Sequence, residues 1–224
     1  MKKTKKFISL FITICLLMTF IPMQMAYADS AFSGGNGTMD DPYLITSAND
    51  FKQLATEVNG GNNYSNTYFK IPETVTETIE LSTDDGYVPI GNDTNQFEGT
   101  FDGGNHTINL NLTGERLVGL FGEGGENSNL CNIRTTGSVS MTGYYAGGIV
   151  ANMYGNVVNC HNEASVTGYY HVGGIVGISD NSKYIINCSN SGAIVGNMNV
   201  GGIVGNISTL KVINCLNTGT VQGS

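Results

Sequence analysis

The chain has 224 residues, of which 31 are Gly, 4 Pro, 5 Cys and none Trp, and only 12% are charged. Gly stands at about twice its usual share of roughly 7%, yet without a Gly-X-Y period, which excludes collagen. It also argues against a helical protein, because each interior Gly costs a helix about 1 kcal/mol. A hydrophobic content of 40% is enough for a core and excludes wholesale disorder.

The first residues read as an address. Lys2, Lys3, Lys5 and Lys6 form a basic start, an apolar run follows from Phe7 to about Met23, and Ala26-Tyr27-Ala28 precedes Asp29. This pattern predicts a secretory signal peptide over 1–28, cut between Ala28 and Asp29. The apolar run approaches the ~18 residues of a membrane span, but Pro22 and the Ala-Tyr-Ala site favour cleavage. The mature chain is therefore expected to be secreted or at the cell surface, with no membrane segment of its own. It keeps six basic residues against 18 acids, and 16 of those acids lie between Asp29 and Glu126. Such a balance disfavours nucleic acid as a partner. The acids are expected to confer solubility, with Ca²⁺ binding the sharper alternative.

Residues 29–113 read as a cap and the first coils of the fold. Ala48 to Asn59 predicts one amphipathic helix, with Phe51, Leu54, Ala55 and Val58 on one face and Ser47 or Asn49 as N-cap. Gly60-Gly61 ends it. Strand-like stretches follow around 68–71, 78–81, 88–90, 99–101 and 107–112.

Residues 114–224 repeat. Asn159-Cys160-His161-Asn162 recurs as Asn187-Cys188-Ser189-Asn190 and Asn214-Cys215-Leu216-Asn217, with a looser copy at Asn132-Ile133. Gly-Gly-Ile-Val recurs at 147–150, 173–176 and 201–204. The period is 27–28 residues, and each unit holds three short β-prone pieces separated by Gly and Asn. Gly interrupts every candidate helical face, and Leu is scarce at the repeated positions, so helical and leucine-rich repeats fail. The expected fold is all-β, a right-handed parallel β-helix with three short strands per coil, closed at its start by the capping helix. Stacking about 4.8 Å apart puts Ile149, Ile175 and Ile203 in an inward aliphatic ladder. The same stacking puts Asn132, Asn159, Asn187 and Asn214 in an amide ladder at a turn. Cys160, Cys188 and Cys215 share one position, with Cys131 offset by two. They are expected to be stacked small hydrophobes with free thiols, with one disulfide as the alternative.

Several further motifs stand out: Gly35-Asn36-Gly37-Thr38, Asp41-Pro42-Tyr43-Leu44-Ile45, the Phe51-Lys52-Gln53-Leu54-Ala55 helix, Pro89-Ile90-Gly91, the stretch 97–108, and Gly119-Leu120-Phe121-Gly122. Together they resemble bacterial surface proteins that carry the GLUG motif, a module also found beside the catalytic part of IgA-protease-type zinc metallopeptidases. The resemblance covers 34–223. It implies a right-handed parallel β-helix on secreted or cell-wall proteins, and a repeat that is not itself catalytic.

Catalytic chemistry is hard to place. His106, His161 and His171 belong to no His-Glu-x-x-His zinc site, and there is no Gly-x-Ser-x-Gly elbow. His106 reads as part of a turn built on Asp102 and Asn105. Asp84, Asp85, Asp93 and Asp102 lack EF-hand spacing, and no cofactor is expected beyond a possible Ca²⁺. The positive signal is aromatic. Tyr144-Tyr145 and Tyr169-Tyr170 sit at similar places on consecutive repeats, with Tyr154 and Tyr184 nearby, and predict either a platform for sugar rings or a protein partner, or plain corner packing. The expected function is non-catalytic, in adhesion, ligand binding or surface spacing, with a host or cell-wall glycan or protein as partner. A fragment of a larger surface protein or peptidase and a lyase-like carbohydrate enzyme are the alternatives. Because the repeats run to Gln222-Gly223-Ser224 in mid-unit, end-to-end self-association through an open final coil is also expected.

Overall fold

The computed structural model describes residues 32–179, 183–208 and 211–224, so the proposed cut between Ala28 and Asp29 lies outside the described residues. After a short strand at Tyr43–Leu44 comes the helix, α1 (Ala48–Asn59). Ser47 is its N-cap, in a reciprocal capping box with Asp50. The Asp50 carboxylate also accepts from Thr46 N at 2.8 Å and from Ser33 Oγ at 2.9 Å, so this buried charge is held by hydrogen bonds from three residues before the helix. Phe51, Leu54, Ala55 and Val58 are buried, and the Phe51 ring meets Phe101 at 5.5 Å. The helix thereby fills the start of the core with its one apolar face.

The rest is a parallel β-solenoid of about six turns. Every strand pairing among the described residues is parallel, and four sheets run along the stack. One sheet begins at Tyr43–Leu44 and runs through Tyr68–Lys70, Thr100–Asp102, Asn129–Cys131, Asn156–Val158 and Tyr184–Ile186 to Lys211–Ile213. We call it the first face. The second, broadest face contains Ile79–Ser82, Thr107–Gly114 and Arg134–Met141, then pairs of shorter strands such as His161–Asn162 and Ser165–Thr167. Thr107–Gly114 pairs along its whole length with Arg134–Met141, so this face passes from the early coils into the repeats without a break.

Two narrow sheets flank the Gly-Gly-Ile-Val turn. Ala146–Gly147, Tyr170–Gly173 and Met198–Gly201 form the strands before it, and Phe121–Gly124, Val150–Met153, Val176–Ser179 and Val204–Ile207 those after it. The three strand-like pieces expected per coil are thus distributed over four sheet positions, because the segment before the double-glycine turn pairs across rungs as a sheet of its own. Inside, Ile149 and Ile175 are fully buried, and their amides donate to Ile175 O at 3.1 Å and Ile203 O at 2.9 Å, one rung on. Phe69, Phe97, Phe101 and Phe121 continue the core toward α1 with ring spacings of 5.3–5.9 Å. No helix among the described residues is long and apolar enough to cross a membrane.

Candidate functional site

The repeat generates identical corners, and each corner displays its side chains in columns. Where the chain leaves the first face, Asn132, Asn159, Asn187 and Asn214 each adopt φ between 52° and 56°. That left-handed conformation is one that Asn tolerates better than most residues. Asn159, Asn187 and Asn214 each donate from Nδ2 to the Oδ1 of the Asn before, at 3.3, 3.1 and 2.7 Å, and Asn132 donates to Asp102 Oδ1 at 2.9 Å.

A second amide ladder lies three residues on and inside the coil. Thr135 Oγ1 donates to Asn162 Oδ1 at 2.8 Å, Asn162 Nδ2 to Asn190 Oδ1 at 2.7 Å, and Asn190 Nδ2 to Asn217 Oδ1 at 2.7 Å. Each Nδ2 also donates to a carbonyl two residues ahead, at Ala164, Gly192 or Gly219. Thr135, Asn162 and Asn190 are buried. These columns are structural. They fix the register on which the outward columns depend.

The tyrosines form such an outward column. The Val118–Ala146 bridge and the Tyr170–Met198 register align Arg116, Tyr144, Tyr170 and Met198 on successive rungs. Tyr144 and Tyr170 stack with centroids 5.9 Å apart and planes 16° from parallel. The Arg116 guanidinium carbon lies 6.0 Å from the Tyr144 ring centre, and Arg116 is anchored to Asp93 by a 2.9 Å ion pair. Beside this column runs a second, in which Tyr145 meets His171 at 5.3 Å. Tyr169 packs edge-on to Tyr170 at 4.6 Å. Tyr144 and Tyr169 are 54% and 46% exposed, so the cluster is a surface rather than a core. All four expected tyrosines are brought together. Tyr184 is not with them: it lies on the first face beneath Lys211, whose Nζ is 5.4 Å from its ring. Tyr154 is half-buried beside Asn152, whose Nδ2 donates to its hydroxyl at 3.3 Å.

The other candidate residues serve local structure. Asp102 Oδ1 accepts from Gly104 N at 2.9 Å and His106 N donates to Gly103 O at 2.9 Å, which is the Asp102 half of the expected turn, while Asn105 N donates to Asn132 O on the next rung at 2.8 Å. Asp93 is committed to Arg116, and Arg134 pairs with Glu163 at 3.0 Å. Among the described residues no three His, Cys, Asp or Glu side chains converge as a metal site, so Asp84, Asp85, Asp93 and Asp102 are not brought together. On the second face His161 lies between Glu163, 3.1 Å from its Nε2, and Ser189, whose Oγ is 2.6 Å from its Nδ1. The signal for that cluster was the 28-residue offset of Ser189 from His161.

No family model matches the chain. It is similar to a candidate Gly-rich membrane protein of Evansella cellulosilytica, 32% identical over 165 residues, which are 70% of this chain and 18% of that protein. It is also similar to halomucin of Haloquadratum walsbyi, 36% identical over 155 residues, 65% of this chain and 2% of that protein. The chain therefore spans a small part of either relative. A crystal structure of a candidate immunoglobulin A1 protease from Bacteroides ovatus superposes with a TM-score of 0.59 over 84% of this chain and 70% of that one, at 20% identity. That likeness is one of fold.

Proposed function

We propose that the chain is a secreted or cell-surface β-solenoid module without catalytic activity, which binds an extracellular glycan along its tyrosine column. The observation that carries this reading is the stacked pair of exposed Tyr144 and half-buried Tyr170 on adjacent rungs, flanked by Tyr145, Tyr169 and His171. The outward ring edges and hydroxyls of such a stack offer apolar contact to sugar C–H groups and hydrogen bonds to sugar hydroxyls. In-register stacking offers a second ring one rung further on, so the column suits an extended chain of sugars better than a single one. The GLUG-type sequence resemblance supports a surface location, as do relatives described as a membrane protein and a halomucin. Both relatives are far longer than the matched segment, which supports a module within larger surface proteins.

Glycan-array screening of the purified chain tests this. The proposal expects binding to at least one class of oligosaccharide, and loss of that binding in Tyr144→Ala and Tyr170→Ala chains with unchanged melting. Binding only to protein partners, or glycan binding indifferent to both tyrosines, contradicts it.

A further inference from the structure

Three thiols stack through the repeat: Cys160, Cys188 and Cys215 lie just outside the in-register pairs Val158–Ile186, Ile186–Ile213, His161–Ser189 and Ser189–Leu216. Their geometry repeats on every rung. Each Sγ lies 3.3–3.4 Å from the carbonyl two residues back, at Val158, Ile186 or Ile213. Cys188 is the middle member, and its sulfur accepts from Cys160 N at 3.4 Å. Adjacent rungs are about 4.8 Å apart, inside the Cα range a disulfide needs, whereas two rungs span roughly 9.5 Å, outside it. Any disulfide in the stack must therefore include Cys188, and only one can form at a time. Cys160 and Cys188 are buried, whereas Cys215 is half-exposed. Cys131 faces the opposite side of its strand, paired with Val158 and lining a cleft of about 430 Å³ with Met39 and Lys70.

We propose that Cys188 and Cys215 form an inter-rung disulfide site, closed by a small-molecule disulfide. The Cys215 thiolate attacks one sulfur of the reagent, forming a mixed disulfide and releasing one small thiolate. The Cys188 thiolate then attacks Cys215 Sγ, the bond to the second half of the reagent breaks, and a second small thiolate leaves. Two protein thiols lose two electrons and two protons, and the reagent is reduced to two thiols. Cys188 suits the second step. Hydrogen bonds from the Cys160 thiol and amide favour its thiolate and lower its pKa against the effect of burial, while burial pushes Cys160 up. Parallel in-register Cβ atoms sit slightly wider apart than a relaxed disulfide prefers, so the bond is expected to reduce readily.

Trypsin separates the four thiols, because Arg116, Arg134, Lys183 and Lys211 leave Cys131, Cys160, Cys188 and Cys215 in four different peptides. The experiment incubates the chain with oxidised glutathione, blocks remaining thiols under native-to-denaturing alkylation, and maps peptides by mass. The expected product joins the peptides 184–211 and 212–224, with Cys160 alkylated, a raised melting midpoint, and reversal by a small dithiol. In Cys188→Ser the expected product is a persistent glutathione adduct on Cys215, and Cys215→Ser shows no cross-link. A Cys160–Cys188 bond, a lasting Cys215 adduct in the unmodified chain, or alkylation of every thiol overturns the proposal.

Discussion

Gly174 lies directly against Asn190: a β-carbon on Gly174 would fall 2.5 Å from Asn190 Cγ and 2.2 Å from Gly202 O. Gly148 meets Asn162 and Gly202 meets Asn217 in the same way on the neighbouring rungs. The second glycine of Gly-Gly-Ile-Val and the last Asn of Asn-Cys-x-Asn are thus two halves of one contact. The double glycine lets the chain turn against the inner amide ladder with no side chain between. Gly174→Ala must displace the Gly202 carbonyl on one side and the Asn190 side chain on the other, a cost of about 1–3 kcal/mol for overpacking. Denaturant unfolding checks this. Pairing it with Asn190→Ala does not restore stability, because Gly202 O remains in the way.

The two amide ladders respond differently to truncation. Asn187 is exposed and left-handed at φ 55°, so Asn187→Gly keeps the turn and loses only the side-chain hydrogen bonds. Asn187→Ala also meets the left-handed penalty of about 1–2 kcal/mol, and it melts earlier than Asn187→Gly by a corresponding margin. At the buried Asn190, truncation to Ala strands the Gly192 carbonyl and the amide of Asn162, a loss of about 1–3 kcal/mol.

Glu123 gives a pH-dependent prediction. It is buried on the strand Phe121–Gly124, where burial raises its pKa, while Gln96 Nε2, donating to Oε1 at 2.7 Å, partly offsets the rise. A carboxyl whose folded pKa is raised stabilises the fold when protonated, and that contribution is lost as pH rises through the folded value. Glu123→Gln is therefore expected to raise the melting temperature at pH 7. The advantage should shrink as the pH falls through the ordinary carboxylate range. Paired melting curves across pH 4–7 read this directly; an advantage that is constant with pH contradicts it.

Arg116 closes the tyrosine column, but its ion pair with Asp93 is half-exposed at both ends, a class of contact worth about 0–1 kcal/mol. Arg116→Ala is expected to leave stability within about 0.5 kcal/mol. Its effect belongs to the surface beside Tyr144, so any change appears in ligand affinity and its salt dependence rather than in melting.

Much of this architecture was legible because a solenoid writes its register into the sequence. A spacing of 27–28 residues aligned Asn132 with Asn159, Asn187 and Asn214, and one of 26 and then 28 residues aligned Ile149 with Ile175 and Ile203. The helix at 48–59 stood out because it holds a 3.6-residue apolar face in a chain otherwise broken by Gly. The inner ladder of Asn162, Asn190 and Asn217 was present in the repeated motif, but a polar residue reads as a turn or outward position. Only the stacked amides, each satisfying the next, make it compatible with burial. Arg116 beside Tyr144 was less visible, because the coil that carries Arg116 is an early, divergent copy. Asp93 reaches it across 23 residues of chain, a contact no period announces.

Ligand binding separates a tyrosine binding surface from tyrosines that only pack a corner of the solenoid. The most direct measurement is titration calorimetry of one array-selected oligosaccharide against the unmodified chain, Tyr144→Ala, Tyr170→Ala and Tyr184→Ala. Removing one aromatic contact of about 0.5–1.5 kcal/mol predicts affinity reduced by roughly two- to tenfold for Tyr144→Ala and Tyr170→Ala. Tyr184→Ala, on the first face, should bind as the unmodified chain does. Equal affinity in all four chains would contradict the account.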